Sequence, residues 1–213
     1  MEFVLELSGK TVGFEDQIAE WASTYQTSML DANELLRLAA ALTAFPWENG
    51  GFVVEIGAYI GTTTAFMAKV LERLGKRVPI LSIDPFERFQ PDSLNAQGNY
   101  SAYVANIIRN HVDHLCLPLA GFSESAAPFI ADNIGVLVID GDHRYAAVSN
   151  DLRLYTPKVR KGGYIFVDDY GAAYPDVVRA VDEFFTESTE FSTHVKSYFV
   201  LAERKSQRGI PRQ

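Results

Sequence analysis

Short, almost wholly apolar runs recur along the chain at Phe52–Ile56, Ile80–Ile83, Leu115–Leu119, Val136–Ile139 and Tyr164–Val167. Longer stretches of helical character, such as Thr63–Leu74 and Tyr145–Val159, separate most of them. Runs that are apolar on both faces suit strands buried between helix layers, which predicts a doubly wound, mostly parallel α/β sheet. Thr193–Val195 and Tyr198–Ala202 are too close together for a crossover helix. They predict a terminal hairpin and hence one antiparallel strand at the C-terminal edge of the sheet. Residues 1–45 read as helix. Asp31 and Glu34 form a capping box ahead of Leu35, Leu38, Ala39 and Leu42, and Pro46 ends the segment. The expected organisation is a helical cap or lid over residues 1–45, an α/β domain over 46–203 and a flexible basic tail over 204–213.

Composition narrows this. The chain has 213 residues, 47% of them apolar and 22% charged, as in an ordinary globular domain. No apolar run approaches the roughly 18 residues of a membrane span. Met1–Gly9 carries Glu2 and Glu6 and so does not read as a signal peptide. Cys116 is the single cysteine, and with no internal disulfide to form, a reducing cytoplasm is the expected compartment. Lys and Arg number 19 against 27 Asp and Glu. Arg204, Lys205, Arg208 and Arg212 all fall in the last ten residues, so the rest is more acidic still. An acidic body is a poor phosphate-backbone binder, so neither nucleic acid nor membrane is expected as a partner. A homodimer through the N-terminal helices or the edge hairpin fits a chain this small, and nothing in the sequence fixes it.

Acidic residues stand where strands should end: Glu55, Asp84, Asp140, Asp168 and Asp169. In doubly wound sheets, ligands bind beyond the carboxyl ends of the strands. Val53 to Thr64 reads as strand, glycine turn and helix, with threonines from Thr62 opening the helix. A dinucleotide fingerprint would place its second glycine at position 59, where Tyr59 stands, so the ligand should lack a pyrophosphate. E-x-G-x-x-x-G suits a nucleoside bearing an amino-acid tail. Asp84, after the next strand, fits ribose hydroxyls, and alone it fits a turn before Pro85 equally well. Asp140-Gly141-Asp142-His143 and Asp168-Asp169-Tyr170 end two further runs. On adjacent strands, the carboxylates Asp140, Asp168 and Asp169 would repel unless a hard divalent cation joined them. Neutralisation by Arg144, Lys161 or Arg179 is the alternative. His143, above that trio, is placed as a general base. His111, His114, His194 and Cys116 read as structural. Ser8-Gly9-Lys10-Thr11 lacks the leading glycine of a phosphate loop, Val4 standing there. Gly121-Phe122-Ser123-Glu124-Ser125 approaches a nucleophile elbow, with Asp168 and His194 following in hydrolase order, but its closing glycine is Ser125.

Glu55–Thr64, Ile83-Asp84, Ile139–His143 and Val167–Tyr170 together resemble the class I S-adenosylmethionine-dependent methyltransferases. Among these, the chain is similar to the metal-dependent O-methyltransferases of the catechol, caffeoyl-CoA and macrocin or mycinamicin types, over about residues 28 to 203. Catechol-type relatives place lysine where His143 stands and end their metal trio in Asp-Asn, so this chain sits nearer the macrocin group. The resemblance implies a Rossmann-like sheet of seven strands with the last antiparallel. It implies that Glu55, Gly57, Gly61 and Thr62 line the cofactor, that Asp84 holds the ribose, and that Ser123 meets the adenine edge. Asp140, Asp168 and Asp169 would bind Mg²⁺ or another divalent cation, with Asp140 also bordering the cofactor and the reacting centre. His143 would take the proton of a small-molecule hydroxyl: a sugar, phenol or polyketide, as in secondary metabolism. The acceptor wall is expected from residues 1–45 and from Phe86–Tyr103, including Arg88, Phe89, Gln90, Asn95, Asn99 and Tyr100. The cephalosporin-hydroxylase-like group shares the pattern, so a cofactor-binding or accessory protein without methyl transfer is the alternative, and a Ser123 hydrolase a third.

Overall fold

Strand direction in this chain follows from its connections, helical crossovers giving parallel neighbours and a short turn an antiparallel pair. The computed structural model describes residues 3–7, 10–14, 16–24, 30–86 and 99–206. In chain order the elements are β1 (Phe3–Leu7), β2 (Lys10–Phe14), α1 (Asp16–Thr24), α2 (Ala32–Ala44), β3 (Phe52–Ile56), α3 (Thr62–Arg73), β4 (Ile80–Asp84) and α4 (Asn99–Arg109). There follow β5 (Cys116–Ala120), α5 (Ser123–Ala126), β6 (Ile134–Ile139), α6 (Tyr145–Tyr155), β7 (Val159–Val167), α7 (Pro175–Glu187), β8 (Phe191–Lys196) and β9 (Val200–Arg204). Seven strands form one sheet in the order β5-β4-β3-β6-β7-β9-β8. β3 to β7 pair in parallel, and β9 runs antiparallel between β7 and β8. The expected mixed α/β sheet is therefore present. The terminal hairpin sits at its edge, with β8 outermost and the last strand one place inside.

The period of two along each strand divides the core into two layers. Val53, Val136, Val138, Tyr164 and Phe166 pack with Leu35, Leu38 and Leu42 of α2 and Phe66, Met67 and Val70 of α3. Val54, Ile56, Leu137, Ile139, Ile165 and Val167 pack on the other side with Val148, Leu152 and Tyr155 of α6 and Val177, Ala180 and Val181 of α7. Both faces being covered is why these strands read as continuous apolar runs. α2 begins at the expected capping box: Glu34 N donates to Asp31 Oδ1 at 2.9 Å and Asp31 N to Glu34 Oε2 at 2.6 Å.

Three expectations are corrected. Residues 3–14 are an antiparallel hairpin pairing Leu5 with Val12 and Leu7 with Lys10, so the helical part of the N-terminal segment starts at Asp16. β-branched Val4, Thr11 and Val12 favour the strand, and Lys10-Thr11 open β2 rather than a phosphate-binding helix. The helix expected over Tyr145–Val159 stops at Tyr155, where Pro157 lies in a single 3-10 turn. Arg204 and Lys205 are not tail: Arg204 donates to Pro157 O and Val159 O and pairs with Glu190, and Lys205 Nζ donates to Thr189 O. Arg208, Arg212, Arg88, Phe89, Gln90 and Asn95 lie outside the described residues, while Asn99 and Tyr100 open α4. Among the described residues no helix is long and apolar enough to cross a membrane.

Candidate active site

The chain winds from β3 outward to β5, then returns to β6 beside β3. The crevice at this reversal is where open α/β sheets bind ligands. Gly57 opens the β3–α3 turn at φ +84°, and a Cβ there would stand 1.9 Å from Asp140 O. Gly61 is the left-handed N-cap of α3 at φ +75°, and a Cβ would meet the Tyr103 ring at 2.6 Å. Both glycines are thus demanded by protein packing. Asp84 crosses from β4 to hold this turn. Its Oδ2 accepts from the main-chain N–H groups of Ala58 and Tyr59 at 2.8 Å each, and its Oδ1 from Phe86 N. Three of the roughly four acceptor positions of a carboxylate are then occupied.

Glu55 is 1% exposed. Its Oε2 accepts from Thr64 and Ser82 hydroxyls, and its Oε1 is buried with no hydrogen-bond partner among the described residues. Burial pushes its pKa up to about 7, against the two hydroxyl hydrogen bonds that lower it. Tyr103 donates to Ser82 Oγ at 3.1 Å from α4. Thr62, the first residue of α3, is also buried, with Asn106 Nδ2 at 3.5 Å from its hydroxyl.

The second half of the site lies at the ends of β6 and β7. The parallel ladder continues past both strands: Asp140 N donates to Ile56 O at 2.8 Å and Asp168 N to Ile139 O at 3.0 Å. Continued alternation turns Asp168, 8% exposed, toward the α2 side of the sheet, where Glu34 is its neighbouring acid. Asp169 then takes the left-handed conformation at φ +57°. Its Oδ2 meets His143 Nε2 at 2.6 Å, and the imidazole leans on Tyr174 with ring centroids 4.3 Å apart. Ligand atoms of Asp140, His143 and Asp169 lie within 4.8 Å of one another, a set that could hold a metal ion and does not include Asp168. Burial, then repulsion from Asp168 and Asp169, raises the Asp140 pKa well above the ordinary carboxylate range. Burial and the neighbouring Glu34 lift Asp168 to about 8. The hydrogen bond to Asp169 raises His143. Beside His143 an open cleft of about 390 Å³ separates Asp142 and Arg144 from Tyr174 and Asp176.

The cations weighed as neutralisers are engaged elsewhere. Arg144 pairs with Asp142 and Arg179 with Asp176, while Lys161 sits at the opposite end of β7. Ser123 donates to Asp151 at 2.5 Å, and Tyr155 OH donates to Ser123 O. His194 pairs with Glu203 across the β8–β9 hairpin, so Ser123, Asp168 and His194 each hold a different partner and form no triad. Cys116 is a buried thiol lifted to about 12 by burial.

A family model described as a methyltransferase domain matches residues 54–170, a span holding every candidate site residue named above except Glu34, Tyr174 and Asp176. The chain belongs to the methyltransferase-domain family. Solved structures similar to this methyltransferase domain include the O-methyltransferase NovP, 22% identical, with a TM-score of 0.66 over 88% of each chain. CalS11, a TDP-rhamnose 3′-O-methyltransferase of calicheamicin biosynthesis, is 14% identical with a TM-score of 0.59, over 88% of this chain and 93% of that one. The SAH-bound methyltransferase PaMTH1 of Podospora anserina is 13% identical with a TM-score of 0.59, over 92% of this chain and 90% of that one. These likenesses show the fold. An uncharacterized protein of Acanthamoeba polyphaga mimivirus is 33% identical over 121 residues, 55% of this chain and 50% of its own length. The chain thus spans about half of that curated relative.

Sequence reading of the site missed Glu34. Its capping-box pattern was visible, but its reach to Asp168, across the whole domain in sequence, was not. Ser82 carried no motif at all; Thr64 stood inside the glycine-turn motif without a partner assigned to it, and Tyr103, expected in the acceptor wall, is instead buried against Ser82.

Proposed function

We propose that the chain is an S-adenosylmethionine-dependent O-methyltransferase that uses a divalent cation, Mg²⁺, to methylate a hydroxyl of a small molecule. The observation that carries this reading is the His143–Asp169 contact at 2.6 Å beside Asp140, one strand from the Gly57 turn. The donor set is rich in carboxylate oxygen, which suits a hard cation, and the mutual repulsion of Asp140, Asp168 and Asp169 is what such a cation would relieve. Asp140 and Asp169 would hold it, with Asp168 behind them. The nucleoside fits the β3–β4 side. Asp84 keeps one acceptor position for a ribose hydroxyl, Ser123 Oγ can accept from an adenine amino group while donating to Asp151, and the unpartnered Glu55 Oε1 supports a cofactor tail nearby.

When bound, the cation lowers the pKa of a coordinated hydroxyl, and the cofactor offers a methyl on sulfonium. The protein's residues supply the rest. His143 donates Nε2–H to Asp169, which leaves Nδ1 as the nitrogen that takes the acceptor's proton. Asp169 fixes that tautomer and stabilises the imidazolium that results. The packed turn of Gly57 and the loops of β6 and β7 would hold the cofactor and the acceptor side by side, and such positioning can lower a barrier by roughly 7–11 kcal/mol. The His143–Tyr174 cleft supports a small hydroxylated acceptor.

Calorimetric titration with S-adenosylhomocysteine, with Mg²⁺ and after chelation, tests the cofactor. Micromolar binding followed by a methylated diol or catechol supports the reading. Binding without product in any acceptor screen would favour a cofactor-binding accessory protein, and no binding in either condition would sink it. A second reading follows from the 4.8 Å grouping: His143 is itself a cation ligand in place of Asp168. Pulsed magnetic resonance of the Mn²⁺-loaded protein decides this, since a histidine ligand couples its nitrogen to the metal spin and a free base does not.

A further inference from the structure

Asp169 is a non-glycine residue in the left-handed region, a conformation that costs about 1–2 kcal/mol and persists only where its surroundings impose it. On its N-terminal side, the β6–β7 ladder fixes Asp168. On its C-terminal side, Gly171 N donates to Asp169 O at 2.9 Å, and Tyr174 N to Gly171 O at 2.9 Å. Tyr170, between them, is tied to the body of the protein by its side chain. Its hydroxyl donates to Asp182 Oδ1 of α7 at 2.8 Å. Lys196 of β8 pairs with the same oxygen at 2.6 Å and lies 5.0 Å from the Tyr170 ring centroid.

The same helix also holds the loop that carries His143. Asp176 Oδ2 accepts from Tyr145 N at 3.2 Å, Glu183 accepts from the Tyr145 hydroxyl, and the Arg179 guanidinium lies 3.8 Å from the Tyr145 ring centroid. Asp176, Arg179 and Glu183 recur at helical spacing and so share one face. Tyr145 is two residues from His143, and Tyr170 is next to Asp169. One helix therefore sets the separation of the two loops that bring His143 and Asp169 together.

We propose that Asp182 is a positioning residue for this site: through Tyr170, and locked by Lys196, it holds Asp169 in the left-handed conformation that aims its carboxylate at His143. The inference deepens the proposed function and rests on it for the consequence to catalysis, though the tether itself is independent of any bound cation. Asp182 is about half-exposed, so its loss should leave the fold standing.

The test uses the full chain as wild type, Asp182→Ala and Lys196→Met. Amide hydrogen exchange at Gly171 and Tyr174 reads the tether directly, and calorimetric titration with Mg²⁺ and with S-adenosylhomocysteine reads its consequence. In Asp182→Ala, exchange at Gly171 should quicken by about ten-fold while the core strands keep their protection. Mg²⁺ affinity should fall by about ten-fold, the scale of a lost supporting contact, with S-adenosylhomocysteine affinity unchanged. Lys196→Met should move both in the same direction by less. Wild-type exchange at Gly171 in Asp182→Ala would overturn the proposal, as would faster exchange spread evenly over the whole protein. If the wild type itself binds no Mg²⁺, the cation reading fails, and exchange at Gly171 still decides the tether.

Discussion

His143 Nε2 and Asp169 Oδ2 lie 2.6 Å apart although the two residues belong to loops after different strands, 26 positions from each other in the chain. The pairing depends on β6 and β7 being parallel neighbours and on the left-handed turn at Asp169. An imidazole held this way has one nitrogen committed and one open. His143→Ala should therefore lower kcat by about 10²–10⁴-fold, the range for loss of a general base, while leaving S-adenosylhomocysteine affinity unchanged by calorimetry. Unchanged turnover in the variant would remove His143 from the chemistry.

Cation dependence can be read without an acceptor. A ligand that binds only the folded state at 100 times its Kd stabilises by about 2.7 kcal/mol. Thermal unfolding of the wild type should shift upward with Mg²⁺ and return on chelation. Asp140→Asn should abolish that shift, and because Asp140 is a buried, repelled carboxylate, the variant should be no less stable than wild type in chelator. A Mg²⁺ shift that survives in Asp140→Asn would exclude this residue as a ligand.

Three glycines with left-handed φ separate backbone strain from packing. Gly75, at φ +68°, has nothing among the described residues within 4 Å of a Cβ, so Gly75→Ala should cost only the conformational penalty of about 1–2 kcal/mol. Gly61→Ala adds a collision with the Tyr103 ring at 2.6 Å, and Gly57→Ala one with main-chain Asp140 O at 1.9 Å. A ring can move where a strand end cannot. Urea unfolding should rank the losses Gly75, Gly61, Gly57, with the last above about 4 kcal/mol or failing to fold.

Asp151, 3% exposed beneath Ser123, has its pKa raised from 3.8 to about 6 by burial. The folded state therefore holds this proton more tightly than the unfolded state. Its contribution to stability is fully present below about pH 4 and is lost as pH rises through about 6. Asp151→Asn keeps an oxygen for the Ser123 hydroxyl and removes the titration. Relative to wild type it should gain stability between pH 4 and 6, by up to about 3 kcal/mol at pH 7. Parallel denaturation curves for the two proteins across that range would refute the assignment.

Much of this molecule follows from local pattern. A strand covered on both faces must be apolar throughout, so β3 to β7 announce themselves as runs such as Phe52–Ile56 and Val136–Ile139. A turn that passes within contact distance of the next strand needs glycine, so Gly57 and Gly61 are visible as letters. Acids cluster at strand ends because that is where ligands can reach them, and Asp140, His143 and Asp169 are legible on that ground. β1–β2 was less so, since Phe3–Leu7 also suits a helix, and only pairing with Lys10–Phe14 makes it a strand.

The sequence by itself determined the α/β class, the glycine turn and the set of acids, because each is a constraint on residue type at one position and its near neighbours. Tertiary structure alone decided how that set divides. Asp168 and Asp169 are adjacent letters, but the pleat turns one toward Glu34 and the left-handed backbone turns the other toward His143. Glu34, Tyr103 and Asp182 join the site from helices distant in sequence. No local pattern encodes such contacts, because they arise from how the helices pack on the sheet and not from the preferences of the residues that meet.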